Sequence, residues 1–263
     1  MTRPRFFNTE ALVLRQMPVG EADVLLTLYT PGYGKLRAVT RGARKILSKL
    51  GGHVEPLHRC LLSLHEGRTF YVVTQAQAVE SYPHLRQNLE LTAFALYLAE
   101  LVDRFTAEEH PNAELYLFFQ RSLGWLGTLG EPAMLVRFFE LHLLALSGFL
   151  PQLHRCVECQ QPLEEGRHRF YPLGGGTLCL GCRPAQGAVL PLSVSALKVL
   201  RFFSTEPYER AVRLRWSREL ADEIERLLSL SIRHILEGEV KAATFLAHLR
   251  RQQGQGQEAA SPT

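Results

Sequence analysis

The chain lacks any apolar segment long enough to cross a membrane. Its longest charge-free apolar run, LHLLALSGFL from Leu141, falls well short of the roughly 20 residues that a transmembrane helix needs. The N-terminal stretch MTRPRFFNTEALVL contains arginines but reaches Glu10 before an apolar core develops, so we expect no signal peptide. We therefore expect a cytoplasmic protein without a membrane partner, in a compartment where thiols stay reduced.

The sequence motifs of several enzyme classes are also absent. There is no P-loop of the form Gly-x4-Gly-Lys-Ser/Thr, because GYGK at Gly32–Lys35 is too short and is more typical of a hairpin. Neither Gly-x-Ser-x-Gly nor His-Glu-x-x-His occurs, and the combined His-x-Glu and Pro-Cys-x-x-Cys signature of nucleobase deaminases is missing. These absences favour a binding protein over a member of those enzyme classes.

Acidic residues are missing from the segment Lys35–Lys49, although the net charge of the whole chain is only +4. Residues 1–80 contain eleven Lys or Arg and six Asp or Glu, so the basic excess lies in the first third. Such a one-sided segment is typical of a surface that binds a phosphate backbone, and the alternative is an ordinary solvated face. The candidate residues for binding a nucleic-acid phosphate backbone are Lys35, Arg37, Arg41, Arg44, Lys45 and Lys49.

Before Pro83 the sequence shows short β-type runs separated by turn signals. Period-two alternation in GKLRAVTR places Lys35, Arg37 and Arg41 on one face of a strand. Five short strands with one long connection predict a closed barrel of the OB type over residues 1–81, with another small β-barrel or sandwich as the alternative. The candidate strands are EALVLRQMPV, ADVLLTLYT, GKLRAVT, HRCLLSLH and RTFYVVTQAQAV.

After Pro83 the apolar residues recur every three or four positions, which is typical of amphipathic helices. A helical domain is therefore predicted over residues 82–250, and the polar, low-complexity tail 251–263 is expected to be disordered. The predicted fold class is α+β multidomain, with an N-terminal OB-fold β-barrel followed by an α-helical domain. The candidate helices are NLELTAFALYLAELVDRF, AELYLFFQRSLGWLGTL, PAMLVRFFELHLLALSGF, SVSALKVLRFFS with a serine N-cap, and two within 216–249.

The chain has only five cysteines, and four of them form two Cys-x-x-Cys pairs separated by nineteen residues. This spacing is typical of a zinc site with four thiolate ligands. Two disulfides are disfavoured in a reducing compartment, and a thioredoxin-like centre would need an adjacent βαβ pattern, which is absent. The spacing therefore predicts one structural Zn²⁺, held by Cys156, Cys159, Cys179 and Cys182.

The paired cysteines define a four-cysteine zinc module, residues 154–185, embedded in the helical domain. The intervening RFYPLGGGTL predicts a β-hairpin that brings the second cysteine pair back to the first. His154 and His168 are expected on the solvated surface rather than in the metal shell. The fifth cysteine, Cys60, shares a strand face with leucines, so we expect a buried and inert thiol.

Aromatic side chains of the barrel are candidates for base stacking, because OB modules stack nucleobases on aromatic rings. Packing in the barrel core is the alternative for each of them. The candidates are Tyr29, Tyr33, Phe70 and Tyr71.

The segment EALVLRQMPVGEADVLLTLYTPGYGKLRAVTRGARKILSK resembles the opening block of the RecO family of bacterial recombination mediators. The order of barrel, helical domain and embedded zinc module resembles that family as well, so the resemblance covers nearly the whole chain. Many members have lost zinc cysteines, whereas this chain keeps all four. Val19 stands where the family commonly has an aromatic residue. The matching residues are Gly20, Glu21, Asp23, Thr30, Gly34, Gly42, Ala43, Arg44, Ser48 and Lys49.

The resemblance implies a non-enzymatic recombination mediator in DNA repair, which binds single- and double-stranded DNA and anneals complementary strands. It implies that the protein acts with RecR to load RecA onto single strands coated by single-stranded DNA-binding protein (SSB). Two other classes stay open. A zinc-dependent nucleic-acid enzyme would need an open metal position, and a zinc-ribbon transcription regulator would normally have a helix-turn-helix or a sensor domain.

The resemblance also implies that the protein recognises the acidic, Phe-ended C-terminal tail of SSB. Such a tail needs an apolar pocket for its ring and nearby cations for its carboxylates. We expect this pocket in the helical domain, and the alternative is that the aromatic residues are core residues and the cations solvated helix ends. The candidate tail-binding residues are Lys198, Arg201, Phe202, Arg215 and Trp216.

Overall fold

The computed structural model describes residues 5–45 and 48–246. These residues form two compact units, one made of residues 5–124 and 240–246 and the other of residues 125–239. The first unit contains the basic segment and the second contains the four paired cysteines. The domain boundary expected after residue 81 stays a prediction.

The first unit begins with a closed five-stranded barrel of order β1-β2-β3-β5-β4. All neighbouring strands pair antiparallel except β3 and β5, which pair in parallel. This arrangement confirms the predicted OB-type barrel. The strands are β1 (Phe6–Val19), β2 (Asp23–Thr30), β3 (Gly34–Thr40), β4 (Arg59–His65) and β5 (Tyr71–Glu80).

The barrel closes because one face of every strand is apolar and points into a common core. Cys60 lies fully buried in this core, so the expected burial of its thiol is confirmed, and the burial raises the pKa of that thiol to about 12. In β1 the pairing register shifts between Val13 and Arg15, which is the signature of a β-bulge. Beyond the bulge the alternation of inward and outward side chains is reversed.

Three helices follow the barrel: α1 (Pro83–Arg86), α2 (Leu89–Phe105) and α3 (Ala113–Trp125), whose last residue begins the second unit. The side chain of Asn88 accepts hydrogen bonds from the backbone N–H groups of Glu90 and Leu91, which fixes the start of α2. Residues 241–246 are also helical and belong to the first unit. The backbone N–H groups of Lys241 and Ala242 donate to the carboxylate of Glu100 in α2.

The second unit holds the remaining helices: α4 (Pro132–Leu146), α5 (Val194–Thr205), α6 (Tyr208–Ala211) and α7 (Arg218–Ile235). Ser193 is the predicted N-cap of α5, since its hydroxyl oxygen accepts a hydrogen bond from the backbone N–H of Ala196. Between α4 and α5 the chain forms a three-stranded sheet of order β7-β6-β8. Its strands are β6 (His168–Tyr171), β7 (Gly176–Leu178) and β8 (Leu190–Leu192).

The predicted fold class is confirmed: the chain is α+β, with an N-terminal OB-type barrel, helices after it and the cysteine cluster embedded among them. The hairpin expected between the cysteine pairs is β6–β7, whereas β8 and the single-turn helices α1 and α6 were not predicted. None of the described helices has the length and apolar character of a membrane span. The tail 251–263, for which disorder was expected, lies outside the described residues.

Candidate nucleic-acid interface and metal centre

The outer face of β3 carries the cations that the strand pattern predicted there. Leu36 and Ala38 are buried in the barrel core, and the intervening Lys35, Arg37 and Val39 point outward. The structure therefore confirms the predicted alternation. It also places two acidic residues of the first unit beside these cations, which the sequence pattern did not reveal.

Lys35 is enclosed rather than open to solvent. Its ammonium group lies 3.1 Å from the Asp103 Oδ1 atom near the end of α2 and also donates to the backbone carbonyl of Asp103. The side chain of Lys35 is only 13% exposed. The expectation that Lys35 is an unneutralised cation on the surface is therefore wrong, because an anionic partner from the helical segment already compensates its charge.

Arg37 has an acidic partner too, but this pair lies in solvent. The Nε atom of Arg37 is 2.6 Å from Glu108 Oε1, and both side chains are about half exposed. Glu108 reaches this position because the loop before α3 runs beside β3: Lys35 and Glu108 form a parallel β-bridge, and the N–H of Glu109 donates to the carbonyl of Lys35. An exposed pair of this kind is weak enough to open for a competing anion.

Gly34 makes this close approach possible. Its φ of +68° lies in the left-handed region, and a Cβ atom at this position would collide with the backbone of His110. Any larger residue at the start of β3 would therefore push the acidic loop away from Lys35 and Arg37.

The other predicted DNA-binding cations lie beyond the end of β3, in the loop that follows it. Arg41, Arg44, Lys45 and Lys49 are all exposed or partly exposed. The loop is fixed against the β1–β2 turn: the N–H of Gly42 donates to Asp23 Oδ1 over 2.8 Å, and the N–H of Arg44 donates to the carbonyl of Ala22. We call these four side chains the loop cations.

Stacking of bases on Tyr29 or Tyr71 is excluded, because both rings are buried. Tyr29 packs near Tyr116 of α3, and its burial raises its pKa to about 12. Tyr71 packs edge-on against Phe7 in the barrel core, and the partly buried Tyr33 lies 4.3 Å from the same Phe7 ring. For these three residues the alternative of core packing is correct. Phe70 is half-buried.

The four predicted zinc ligands come together in the second unit. The sulfur atoms of Cys156, Cys159, Cys179 and Cys182 all lie within 4.8 Å of one another, and the Cys159 and Cys179 sulfurs are 3.9 Å apart. A tetrahedral four-thiolate site with Zn–S bonds of about 2.3 Å would hold its sulfurs about 3.8 Å apart. The cluster is thus close to the geometry of a one-zinc site, and four thiolate ligands would leave no coordination position for a substrate.

The backbone around the cluster is arranged to hold thiolates. Burial opposes ionisation of Cys156, but backbone N–H groups of Cys179, Cys159 and Glu158 donate to its sulfur and lower its pKa to about 6. Hydrogen bonds to the sulfurs of Cys179 and Cys159 raise the pKa of Cys182 to about 12. The guanidinium of Arg169 donates to the carbonyls of Cys179, Leu180 and Cys182, which fixes the second cysteine turn. A bound Zn²⁺ would supply the charge that keeps all four thiols ionised.

The two histidines near the cluster differ in their surroundings. His154 is exposed, as expected. His168 is 7% exposed and its Nε2 lies 2.8 Å from the carbonyl of Glu164, so its expected place on the solvated surface is wrong. The reason is that His168 begins β6, which packs between β7 and β8.

The predicted tail-binding residues lie on α5 and on the loop before α7. Lys198 and Arg215 are exposed, Phe202 is half-buried, and Arg201 uses its Nε–H to donate to the carbonyl of Leu153. Trp216 packs on Phe203, and its indole N–H donates to Glu131 over 2.9 Å. A carboxylate therefore lies beside the Trp216 ring, where an acidic peptide would be repelled.

Comparisons with known proteins agree over nearly the whole chain. The family model described as Recombination protein O N terminal matches residues 1–82, and the model described as Recombination protein O C terminal matches residues 86–243. The chain is 39% identical over 249 residues to the DNA repair protein RecO of Roseiflexus sp. (strain RS-1), which covers 95% of this chain and 88% of the relative.

Two further relatives are both named DNA repair protein RecO. The protein of Dehalococcoides mccartyi (strain BAV1) is 36% identical, over 95% of this chain and 98% of the relative. The protein of Desulforudis audaxviator (strain MP104C) is 37% identical, over 91% of this chain and 96% of the relative. On these matches, which span both halves of the molecule, the chain belongs to the RecO family.

Proposed function

We propose that this DNA repair protein of the RecO family is a recombination mediator that binds single- and double-stranded DNA and anneals complementary strands. The observation that carries the proposal is the set of loop cations on the OB-type barrel, Arg41, Arg44, Lys45 and Lys49, in a chain whose relatives are named DNA repair protein RecO. OB barrels bind oligonucleotides through this kind of surface, and cations without base contacts bind phosphates of any sequence.

The partners that we propose are RecR, RecA and SSB. With RecR, the protein would help load RecA onto single strands that SSB covers, in the cytoplasm. This part of the proposal rests on membership of the family. The decisive experiment is annealing of complementary oligonucleotides coated by SSB, with and without the protein, because a mediator accelerates annealing under these conditions and an inert binding protein does not.

We further propose that the protein has no catalytic activity and that its metal is structural. The four-cysteine cluster supports this proposal, because a metal that is bound by four thiolates offers no open position for water or substrate. The competing class, a zinc-dependent nucleic-acid enzyme, requires metal-dependent hydrolysis of single-stranded DNA. Turnover of a labelled oligonucleotide that stops on zinc removal and returns on zinc addition would decide for that class.

For the acidic, Phe-ended tail of SSB we propose docking at Lys198, Arg201 and Phe202 of α5, with Arg215 as the outer part of the same candidate set. Trp216, the fifth candidate, is left out of this proposal because Glu131 lies beside its ring. Support comes from the exposed ammonium of Lys198 beside a half-buried ring. A labelled tail peptide should bind the full chain, and Lys198→Glu should weaken it severalfold because a cation is replaced by an anion. Arg121→Glu is the matched control, since Arg121 is an exposed cation of α3 in the other unit. Equal weakening by both variants would refute this placement.

A further inference from the structure

A cavity of about 340 Å³ opens within the second unit, between the edge strand β8, the start of β6 and helix α7. Its volume lies within the range of sites that bind small molecules. None of the side chains proposed for the SSB tail lines it. We call it the β8–α7 cavity, and its lining includes Arg167, His168, Leu192, Ser193, Glu223 and Arg226.

One wall of the cavity is apolar. It is formed by Leu190 and Leu192 of β8 and by Leu227 of α7. Leu190 and Leu192 are two positions apart on the strand, so both point to the same face, and Leu192 lies opposite His168 of β6. Leu192 and Leu227 are buried, and Leu190 is half-buried. A compact apolar group of a ligand would pack against this wall.

Two arginines at the cavity have no partner for their charge. Arg167 and Arg226 are exposed, and within residues 5–45 and 48–246 neither guanidinium makes an ion pair or a hydrogen bond. Glu223 lies one helical turn before Arg226, but its two carboxylate oxygens accept from the N–H and the hydroxyl of Ser193, each over 2.7 Å. Both guanidinium groups are therefore open to an anion from outside the chain, and their fork of donors fits the oxygens of a phosphate or a carboxylate.

A buried histidine adds an unsatisfied polar atom. His168 is only 7% exposed, and its Nε2 lies 2.8 Å from the carbonyl oxygen of Glu164, so Nε2 carries the hydrogen of the neutral ring. The Nδ1 atom is then an acceptor, and it has no hydrogen-bond partner in the part of the chain that the structure describes. A buried acceptor without a donor is costly. A ligand with an O–H or N–H group on its apolar part would remove that cost.

We propose that the β8–α7 cavity binds a nucleoside monophosphate, with its phosphate on Arg167 and Arg226 and its ring against the leucine wall. A phosphate monoester carries a charge of about −1.5 to −2, which matches two guanidinium groups, whereas a carboxylate would leave one of them without an anion. Sugar hydroxyls and base N–H groups are the donors that His168 Nδ1 lacks. A triphosphate should bind no more tightly, because Glu223 adds negative charge beside the arginines. This site goes beyond the proposed function and does not depend on DNA binding by the barrel.

The probe is thymidine 5′-monophosphate, and its binding to the full chain is measured by equilibrium dialysis. One molecule should bind per chain, and thymidine and inorganic phosphate should each bind at least about tenfold more weakly, because each makes only part of the contacts. Arg226→Gln should weaken the monophosphate by about tenfold, since it loses a charged donor. Arg218→Gln is the matched control, because Arg218 is an exposed cation of α7 that does not line the cavity. Circular dichroism checks that both variants are folded.

The phosphorylated 5′ end of a DNA strand presents the same chemistry, a phosphate monoester next to a base. Displacement of the bound monophosphate separates these two sources. If an oligonucleotide with a 5′-phosphate displaces it more strongly than the same oligonucleotide with a 5′-hydroxyl, the site takes the end of a strand. Equal displacement by the two oligonucleotides assigns the site to the free nucleotide.

Three outcomes would overturn the inference. They are the absence of saturable binding of the monophosphate, binding of thymidine as tight as that of the monophosphate, and equal weakening by Arg226→Gln and Arg218→Gln. Binding of the SSB tail peptide that is lost in Arg226→Gln, in a protein that binds no nucleotide, would likewise refute it and assign the cavity to a peptide. Annealing of SSB-coated oligonucleotides is measured separately, so failure of this inference and failure of the proposed function are distinguishable.

Discussion

The ion pair between Arg37 and Glu108 leads to a prediction opposite in sign to that of most substitutions at a binding surface. Glu108→Gln should tighten DNA binding. In the structure the carboxylate of Glu108 lies 2.6 Å from Arg37 Nε. It therefore competes with a DNA phosphate for the guanidinium of Arg37. An amide has nearly the same shape but no charge, so the substitution releases Arg37 without opening a gap.

The size of the effect follows from the exposure of the pair. Both side chains are about half exposed, so the pair is worth about 0.2–1 kcal/mol. Returning that free energy to DNA binding raises affinity by about 1.5- to 5-fold, and one additional phosphate contact steepens the salt slope for a single strand by about 0.7. The free energy of unfolding should fall by no more than about 1 kcal/mol.

Fluorescence anisotropy with a labelled single strand at several salt concentrations measures both quantities. Glu90→Gln is the control, because it removes the same charge near the start of α2, roughly 22 Å of helix away from the end that leads to Glu108. The double variant Arg37→Ala/Glu108→Gln should show no gain. Equal affinity and slope in Glu108→Gln and the unchanged protein would refute the reasoning, as would a gain that persists in the double variant.

Three further predictions concern other parts of the molecule. Elemental analysis should give about one zinc per chain, and Cys159→Ser should lose the metal and lower thermal stability without affecting any turnover; a fully folded, metal-free protein would contradict this. Lys35→Ala should lower the free energy of unfolding by about 1–2 kcal/mol and leave the salt dependence of DNA binding unchanged, because Lys35 is enclosed with Asp103. Arg41→Ala should leave the free energy of unfolding unchanged and make the salt dependence of DNA binding less steep. Burial and the charge of Arg86 lower the pKa of His58 in the folded protein. The contribution of His58 to stability is therefore full above the unfolded pKa of about 6.5 and is lost as the pH falls below that value. Urea titrations at pH 7.5 and 5.5 should show a smaller difference in the free energy of unfolding between the two pH values for His58→Gln than for the unchanged protein.

The sequence was sufficient for three features that depend on local spacing: the four-cysteine cluster, the alternation in β3 and the cap of α5. Two Cys-x-x-Cys pairs predict a shared metal site because each turn aims two sulfurs at one point, and the structure brings all four within 4.8 Å. The alternation in β3 predicted which side chains face outward, and the serine before α5 predicted its cap. These features rest on the geometry of a few consecutive residues, which tertiary packing leaves unchanged.

The roles of the barrel's charged and aromatic residues depended on contacts between residues far apart in the chain. Nothing near Lys35 in sequence shows that Asp103 will enclose it, and Tyr29 becomes unavailable only because α3 lies over that end of the barrel. Which side chains of β1 face outward depends on the bulge in that strand, because the shift of a single residue there reverses every later side chain. Composition and spacing determined that this chain has a basic barrel and a four-thiol site; the tertiary structure decided which cations remain exposed, because only packing brings the acidic partners of the others into place.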